Sequence, residues 1–342
     1  MHAGPLRRSP VPQNSGVGTF APVRWGILGT ADINRKLLHG ARLTDAVDVV
    51  AICSRTEERA RQAAAQFHIP RWHGTYGALL ADPDVEAVYI SVPNALHHQW
   101  TMRALAAGKH VLCEKPYSRH PQEVDQAFDL AADRGLVLSE GFMWRHHPQA
   151  QRLKELQRGI GRLQTIRASF NFVQNRENDV RLRADLDGGA LMDVGCYCVS
   201  GARYVTEEEP DLVFGVAVDA DGKRVGPNDV DRRFTAVLHF PSGVVAEFTA
   251  SFMVDHRGLE LIGTDGTVLF TDPWQSMPAT VVVDGVETPF EPIDPYMCEI
   301  ENISAAIRGE AELRLGRTDA LGQARVLDAL ARSAADGAPV RP

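Results

Sequence analysis

The chain reads as two domains in series: an α/β domain with a parallel sheet, then an α+β domain with an open, mainly antiparallel sheet. Three observations predict this. Residues 23–145 alternate short apolar runs with stretches of helical periodicity, the pattern of strands joined by helical crossovers. Residues 146–335 contain strand-like runs that, from residue 211 onward, follow one another too closely for helical crossovers. The length of 342 residues suits two cores rather than one. Residues 1–22 are rich in Pro, Gly and Ser and are expected to be a disordered leader.

Val23–Leu28 is an apolar run fit for a buried parallel strand. It carries the start of a G-x-x-G-x-A motif formed by Gly26, Gly29 and Ala31, with a helix expected from about Asp32. Glycines allow a tight turn and close backbone approach, and the free N–H groups of a helix start attract a pyrophosphate. Residues 47–54 are the second strand. This is the layout of a dinucleotide-binding βαβ unit, with Gly26, Gly29, Thr30, Ala31, Asp32 and Ile33 as its cofactor contacts. Where an NAD-preferring site carries an acid at the tip of that strand, this chain has Ser54 and Arg55. A hydroxyl and a guanidinium suit a ribose 2′-phosphate, so NADP(H) is expected over NAD(H), which stays open as a second cofactor.

Residues 56–67 read as a helix capped by Thr56, and 87–92 as the next strand. That strand delivers Pro93, Asn94 and, on the following helix, His97 to the nicotinamide end of the site. His97 and His98 are adjacent on a helix and point apart, with no acid spaced to complete a metal site, so no metal is expected. Residues 110–113 form another strand, ending in Glu114-Lys115-Pro116. Lys115 at a strand tip beside a nicotinamide can hold a substrate oxygen, with Glu114 orienting its ammonium. Residues 121–134 are helical and 136–139 are a last short strand. Phe142, Met143, Trp144 and Arg145 precede a helix opened by Pro148. They are expected at the cleft between the domains, Trp144 toward substrate and Arg145 toward cofactor; packing in a core is the alternative for the aromatics.

In the second domain, residues 165–173 alternate as a strand. The polar stretch 174–186 is expected to loop over the cleft and to bring Arg176 and Arg181 to the substrate. Gly188-Gly189 open a helix on which Asp193 and Tyr197, four apart, share a face. Tyr197 is the candidate proton donor and acceptor, its phenolate favoured by the Lys115 ammonium, and Asp193 is the candidate for positioning the substrate. The competing reading makes Asp193 a helix anchor and Tyr197 a core aromatic. Strands follow at 211–218, 233–240, 244–252, 258–263, 267–270 and 280–283. Helices at 296–307 and 319–335 close the chain, the last expected to pack back on the first domain.

These stretches resemble the glucose–fructose oxidoreductase/inositol dehydrogenase/rhizopine catabolism (Gfo/Idh/MocA) family. The marks are WGILGTADI at 25–33, EKP at 114–116 and GGALMDVGCYC at 188–198, and the resemblance runs from residue 23 to about 335. It implies an N-terminal Rossmann domain, a C-terminal open-sheet domain and a nicotinamide cofactor. The family's conserved lysine falls on Lys115, its helix aspartate on Asp193 and its acid–base position on Tyr197. Cys196 before that tyrosine, and FMWRHHPQ at 142–149, are most similar to the branch of glucose–fructose oxidoreductase, NADP-dependent xylose dehydrogenase and dihydrodiol dehydrogenase. Two departures stand out: Ala31 replaces the last glycine of the usual fingerprint, and Cys198 and Gly201 stand where the family often has a further acid. The implied activity is hydride transfer between the nicotinamide and a secondary alcohol or ketone of a sugar or cyclitol. Trans-dihydrodiol oxidation is the second reading, and a non-catalytic nicotinamide-binding scaffold the third.

The net charge of −8 argues against a general nucleic-acid binder, and no apolar run approaches the length of a membrane span. The expected partner is therefore a small polyol, sugar or ketosugar. The five cysteines, at 53, 113, 196, 198 and 298, form neither a disulfide framework nor a zinc pattern, which fits a reducing, cytoplasmic setting. An open sheet with an uncovered face predicts a homodimer or homotetramer.

Overall fold

The computed structural model describes residues 21–226, 229–275, 280–289 and 292–342. Six strands, β1 (Val23–Leu28), β2 (Val47–Cys53), β3 (Arg71–His73), β4 (Ala87–Ile90), β5 (His110–Glu114) and β6 (Leu138–Gly141), form one parallel sheet in the order β3-β2-β1-β4-β5-β6. Helices α1 (Asn34–Ala41), α2 (Glu57–Phe67), α3 (Tyr76–Leu80), α4 (His97–Ala106) and α5 (Pro121–Asp133) alternate with them. The strands are buried along most of their length because helices flank both faces, which is why they read as apolar runs. Thr56 caps α2 by accepting from Arg59 N–H. The strand order reverses between β1 and β4, which opens a crevice beyond their carboxyl ends.

After α6 (Pro148–Gly159) the chain builds a second sheet. It contains β7 (Leu163–Asn171), β8 (Leu212–Val218), β9 (Arg233–His239), β10 (Val245–Ser251), β11 (His256–Gly263), β12 (Thr267–Phe270), β13 (Thr280–Val283) and β14 (Val286–Pro289). The order is β14-β13-β12-β11-β7-β10-β9-β8, with every neighbouring pair antiparallel except β7–β10. A wide turn of π type at Leu191–Gly195 leads into α7 (Cys196–Thr206), which packs against β7 and β10. The other face of β9 presents Arg233, Thr235, Val237 and His239 to the surface.

The closing helices tie the two sheets together. α8 (Pro295–Ile307) lies on α1, and Trp25 of β1 donates to Ser304 of α8 at 3.2 Å. α9 (Arg317–Asp336) packs on both α5 and β8.

The structure differs from the sequence reading at several elements. β3, β14 and the five-residue α3 escape the pattern because each is too short to show a period. Of the leader expected at 1–22, residues 1–20 lie outside the described residues. The carbonyls of Ala21 and Pro22 accept from Arg308, each at 3.0 Å, so the chain is already fastened two residues before β1.

Candidate active site

The crevice at the strand reversal is a cleft of about 710 Å³. β1 is followed by Gly29, whose φ is +115°, and a Cβ there would meet the Ser91 Oγ at 3.2 Å. The turn Gly29–Ile33 then runs into α1, whose first N–H groups bond the Ala31, Asp32 and Ile33 carbonyls, so the N–H groups without a partner among the described residues are those of the turn itself, Thr30 to Ile33. Asn34 donates to the Gly29 carbonyl at 3.0 Å and holds the turn in shape. Ser54 and Arg55 follow β2 on one side of it, and Thr30 Oγ1 lies 3.3 Å from Ser54 Oγ. Neither Arg55 nor Arg59 has an ion-pair partner among the described residues, and both line the cleft with Tyr76.

The other end of the cleft is a chain of charges. The Lys115 ammonium donates to the Asp193 main-chain oxygen at 2.7 Å and to its Oδ1 at 3.1 Å. Asp193 Oδ2 accepts from Arg181 Nε at 2.6 Å, and Arg181 Nη1 reaches Asp179 at 3.2 Å. Burial alone would raise the Asp193 carboxyl, but Lys115 and Arg181 outweigh it and hold it below the usual carboxylate range. Burial likewise pulls Lys115 down, and Asp193 outweighs it, leaving the ammonium above its ordinary value. A raised lysine keeps its stabilisation until pH climbs through its folded pKa, and a depressed aspartate keeps its own until pH falls through its folded pKa. The pair is therefore charged across the whole neutral range.

An ammonium has three N–H donors, and two of these are used. The third has no hydrogen-bond partner among the described residues.

Tyr197 lies beneath that ammonium rather than beside it. The Lys115 nitrogen sits 5.0 Å from the ring centroid, over its face, while the Tyr197 hydroxyl donates to Met143 Sδ at 3.5 Å. Burial first, then the acidic groups of Tyr296, Glu114, Cys196 and Asp193 around it, push the phenol well above its ordinary value. The expected lowering by Lys115 is thus corrected: the ring is a buried, protonated phenol with a thioether as its weak acceptor. Tyr197 does not line the cleft in this conformation.

His97 is buried, with Nδ1 2.9 Å from the Pro116 carbonyl and Nε2 2.8 Å from the Val92 carbonyl. Burial pushes its pKa down to about 4, so at pH 7 it is neutral and its single N–H donates to one of these two carbonyls, which pins the ring between the strand tips. Glu114 is anchored by the Tyr89 hydroxyl at 2.5 Å and the Lys115 N–H at 3.2 Å. It orients the Lys115 backbone. Asn94 bridges to the Asp187 carbonyl at 2.9 Å, joining the first domain to the polar loop. Thr30, Ala31, Asp32, Ile33, Pro93, Asn94, Arg176 and Arg181 all line the same cleft.

Four other expectations are corrected. Gly26 is not in the turn but inside β1, where a Cβ would press on Val85 at 3.0 Å and Leu79 at 3.2 Å; it serves packing. Trp144 is buried against Trp274 and Tyr204, which places it in the core rather than at the substrate. Arg145 does not line the cleft; it pairs with Asp319 at 3.1 Å and reaches Ser200 at 3.3 Å. Arg176 lines the cleft beside the glycine turn, its Nη1 3.3 Å from Asp32, and not beside Lys115. Sequence reasoning missed Arg59, Tyr76, Ser91 and Asp179. Arg59, one helical turn beyond Arg55, is the one with a readable signal.

A nicotinamide dinucleotide fits these residues. The Ser91 hydroxyl is a buried donor and acceptor without a protein partner, and it lies beneath the glycine turn in the wall of the cleft. The open turn, the helix start and the unpaired Arg55 and Arg59 supply donors where a dinucleotide carries its phosphates. Comparison with known families decides the matter. Residues 23–142 match the model of the oxidoreductase family with an NAD-binding Rossmann fold, and residues 150–269 match the GFO/IDH/MocA C-terminal domain. The chain belongs to the GFO/IDH/MocA family. This family member is 37% identical to a D-xylose 1-dehydrogenase (NADP(+)) of Haloferax volcanii over 92% of this chain and 98% of that protein. Its fold matches a 3-ketoreductase of Actinomadura kijaniata, solved with NADP and TDP-benzene, at a TM-score of 0.85 and 30% identity, covering 91% and 98% of the two chains. An aldose-aldose oxidoreductase of Caulobacter crescentus matches at a TM-score of 0.84 and 28% identity, covering 94% and 100%. Among the described residues no helix is long and apolar enough to cross a membrane.

Proposed function

We propose that this GFO/IDH/MocA oxidoreductase uses NADP(H) to interconvert a secondary alcohol and a ketone or lactone on a free, uncharged sugar or cyclitol. The observation that carries the reading is the distribution of charge along one cleft. At the Lys115 end each cation has a matching anion: Lys115 with Asp193, Arg181 with Asp193 and Asp179, and Arg183 with Asp185. A neutral polyol suits such an end better than a nucleotide-linked sugar. At the Ser54 end Arg55 and Arg59 stand unpaired among the described residues, which suits a 2′-phosphate. Phe142 and Trp144 lie in the core, which removes the aromatic wall on which the dihydrodiol reading rested.

When bound, the nicotinamide accepts or returns the hydride. The chain supplies position and charge. Lys115 gives its third N–H to the reacting oxygen and stabilises the alkoxide-like charge there. Asp193 fixes the ammonium, and Arg181 fixes Asp193. Tyr197 donates the proton in reduction and takes it in oxidation, a role supported by its place beneath Lys115 and by a weak present partner that a substrate oxygen can replace.

The test is a turnover panel of unphosphorylated aldoses, ketoses and cyclitols against nucleotide-linked sugars, with each cofactor. Turnover of nucleotide-linked sugars alone would sink the uncharged-substrate assignment. Arg55→Ala is expected to weaken NADP(H) binding about tenfold, the loss of one charge-assisted contact, and to leave NAD(H) binding nearly unchanged. Equal losses for both cofactors would remove Arg55 from 2′-phosphate recognition.

The open face of the second sheet supports self-association. Leu212 and Phe214 of β8 and Val237 of β9 are exposed there, Phe214 directly opposite Val237. A homodimer or homotetramer formed through this face should give at least twice the monomer mass in light scattering, and Phe214→Asp should lower it. A monomer mass for the parent protein at micromolar concentration contradicts this. The five cysteines, all free and four of them buried, support a cytoplasmic setting.

A further inference from the structure

Arg176 belongs to the second domain, yet it lies against the glycine turn of the first. Its Nη1 is 3.3 Å from Asp32 Oδ2, across a sequence separation of 144 residues. Asp32 sits in the turn between Gly29 and the start of α1, where the helix dipole and the turn's own N–H groups, Thr30 to Ile33, which have no partner among the described residues, draw an anion. A carboxylate at that spot repels a pyrophosphate, and the only charge pairing it among the described residues is the Arg176 guanidinium. The two side chains are 75% and 83% exposed. Such a pair is weak and easily exchanged.

Arg176 is carried on a strap, residues 174–188, that crosses the cleft. The strap is fastened beyond Arg176 at three points. Arg181 binds Asp193, Asn94 donates to the Asp187 carbonyl, and Arg119 pairs with Asp187 at 3.1 Å. At the other end Gln174 N–H joins the Phe252 carbonyl at 3.0 Å. Between these fixings, residues 175–178 contact the first domain through Arg176 alone among the described ion pairs. The fixed ends hold the guanidinium against the glycine turn, and the weak pair leaves it free to turn.

We infer that Arg176 is a clamp for the cofactor's pyrophosphate: Asp32 holds the guanidinium in waiting, and the dinucleotide takes it over, so that the strap closes on the cofactor. A guanidinium offers a planar fork to phosphate oxygens and gains more from a doubly charged pyrophosphate than from one solvent-exposed carboxylate. This inference rests on the NADP(H) reading of the cleft and is independent of which sugar the enzyme uses.

The test is binding without substrate. NADPH fluorescence titrations and stopped-flow displacement are run on the full chain, with adenosine 2′-monophosphate, which lacks a pyrophosphate, as a second probe. Arg176→Gln is expected to raise the NADPH Kd about tenfold, mainly through faster release, and to lower the salt dependence of binding by about one charge. Affinity for adenosine 2′-monophosphate should not change. Arg176→Lys should recover part of the loss, and Asp32→Asn should bind NADPH as tightly as the parent or more so. Three results overturn the clamp: unchanged NADPH binding in Arg176→Gln, equal weakening of both probes, or intact cofactor binding with a raised KM for substrate.

Discussion

Lys115→Ala is expected to lower kcat by about 10²–10⁴-fold while NADPH affinity changes only a few-fold. The ammonium does two things that no neighbour duplicates. In the proposed mechanism it gives its third N–H to the reacting oxygen, and in the structure it neutralises one side of Asp193. Removing it leaves a buried carboxylate held by Arg181 alone. Because Arg181 still compensates the carboxylate, the loss is smaller than for a buried charge left alone, and the alanine variant is expected to melt somewhat earlier. Lys115→Met separates the two effects. It keeps the length and packing of the stem and should recover some stability without recovering rate. Arginine should not rescue activity, because its planar fork cannot point one donor to the substrate while keeping both contacts to Asp193. Steady-state kinetics with thermal melts of the three variants read this directly. Near-parental kcat in Lys115→Met would take the ammonium out of the chemistry.

Tyr197→Phe carries the second large effect, a fall in kcat of about 10²–10⁴-fold with cofactor binding intact. Among the described residues its hydrogen bond goes only to Met143 Sδ, so the folded protein loses little with the hydroxyl. Because burial keeps the phenol protonated, it is ready as a donor for reduction at neutral pH. In the oxidative direction the same shift has the opposite sign: the phenol must lose its proton, so the rate should rise toward alkaline pH. The phenylalanine variant should lack that rise. A parental rate and pH profile in Tyr197→Phe would leave Lys115 as the sole polar group acting on the reacting oxygen.

The sequence was readable where function depends on the backbone and on position along it. The glycine turn at Gly29 followed by α1, and Lys115 at the tip of β5, depend on local geometry, and the motifs carry it. The second sheet was readable as an array of close strands. Its parallel β7–β10 pair was not, because that pairing joins segments some 80 residues apart. Side-chain direction was the other gap. Trp144 and Arg145 lie next to the cleft in sequence, but packing against Trp274 and Asp319 turns them away from it, and Tyr197 lies under Lys115 with its hydroxyl on Met143 Sδ rather than in the open cleft. Arg181 reads as a free cation until the fold brings Asp193 and Asp179 to it. Arg176 reads as a substrate contact until the strap sets it on Asp32. In each case the partner is supplied by the tertiary fold, which composition and period do not encode.

The account rests on direct hydride transfer between an uncharged polyol and NADP(H) in the Lys115 cleft. The measurement that tests it most directly is a single turnover of NADP⁺-loaded enzyme with sugars and cyclitols deuterated at carbon, read by mass spectrometry of the reduced cofactor. The account predicts one carbon-bound deuterium on the nicotinamide ring from the parent protein, and a rate for that transfer lowered at least a hundredfold in Lys115→Met. Reduced cofactor that carries no label, or label transferred at the parental rate in Lys115→Met, would contradict it.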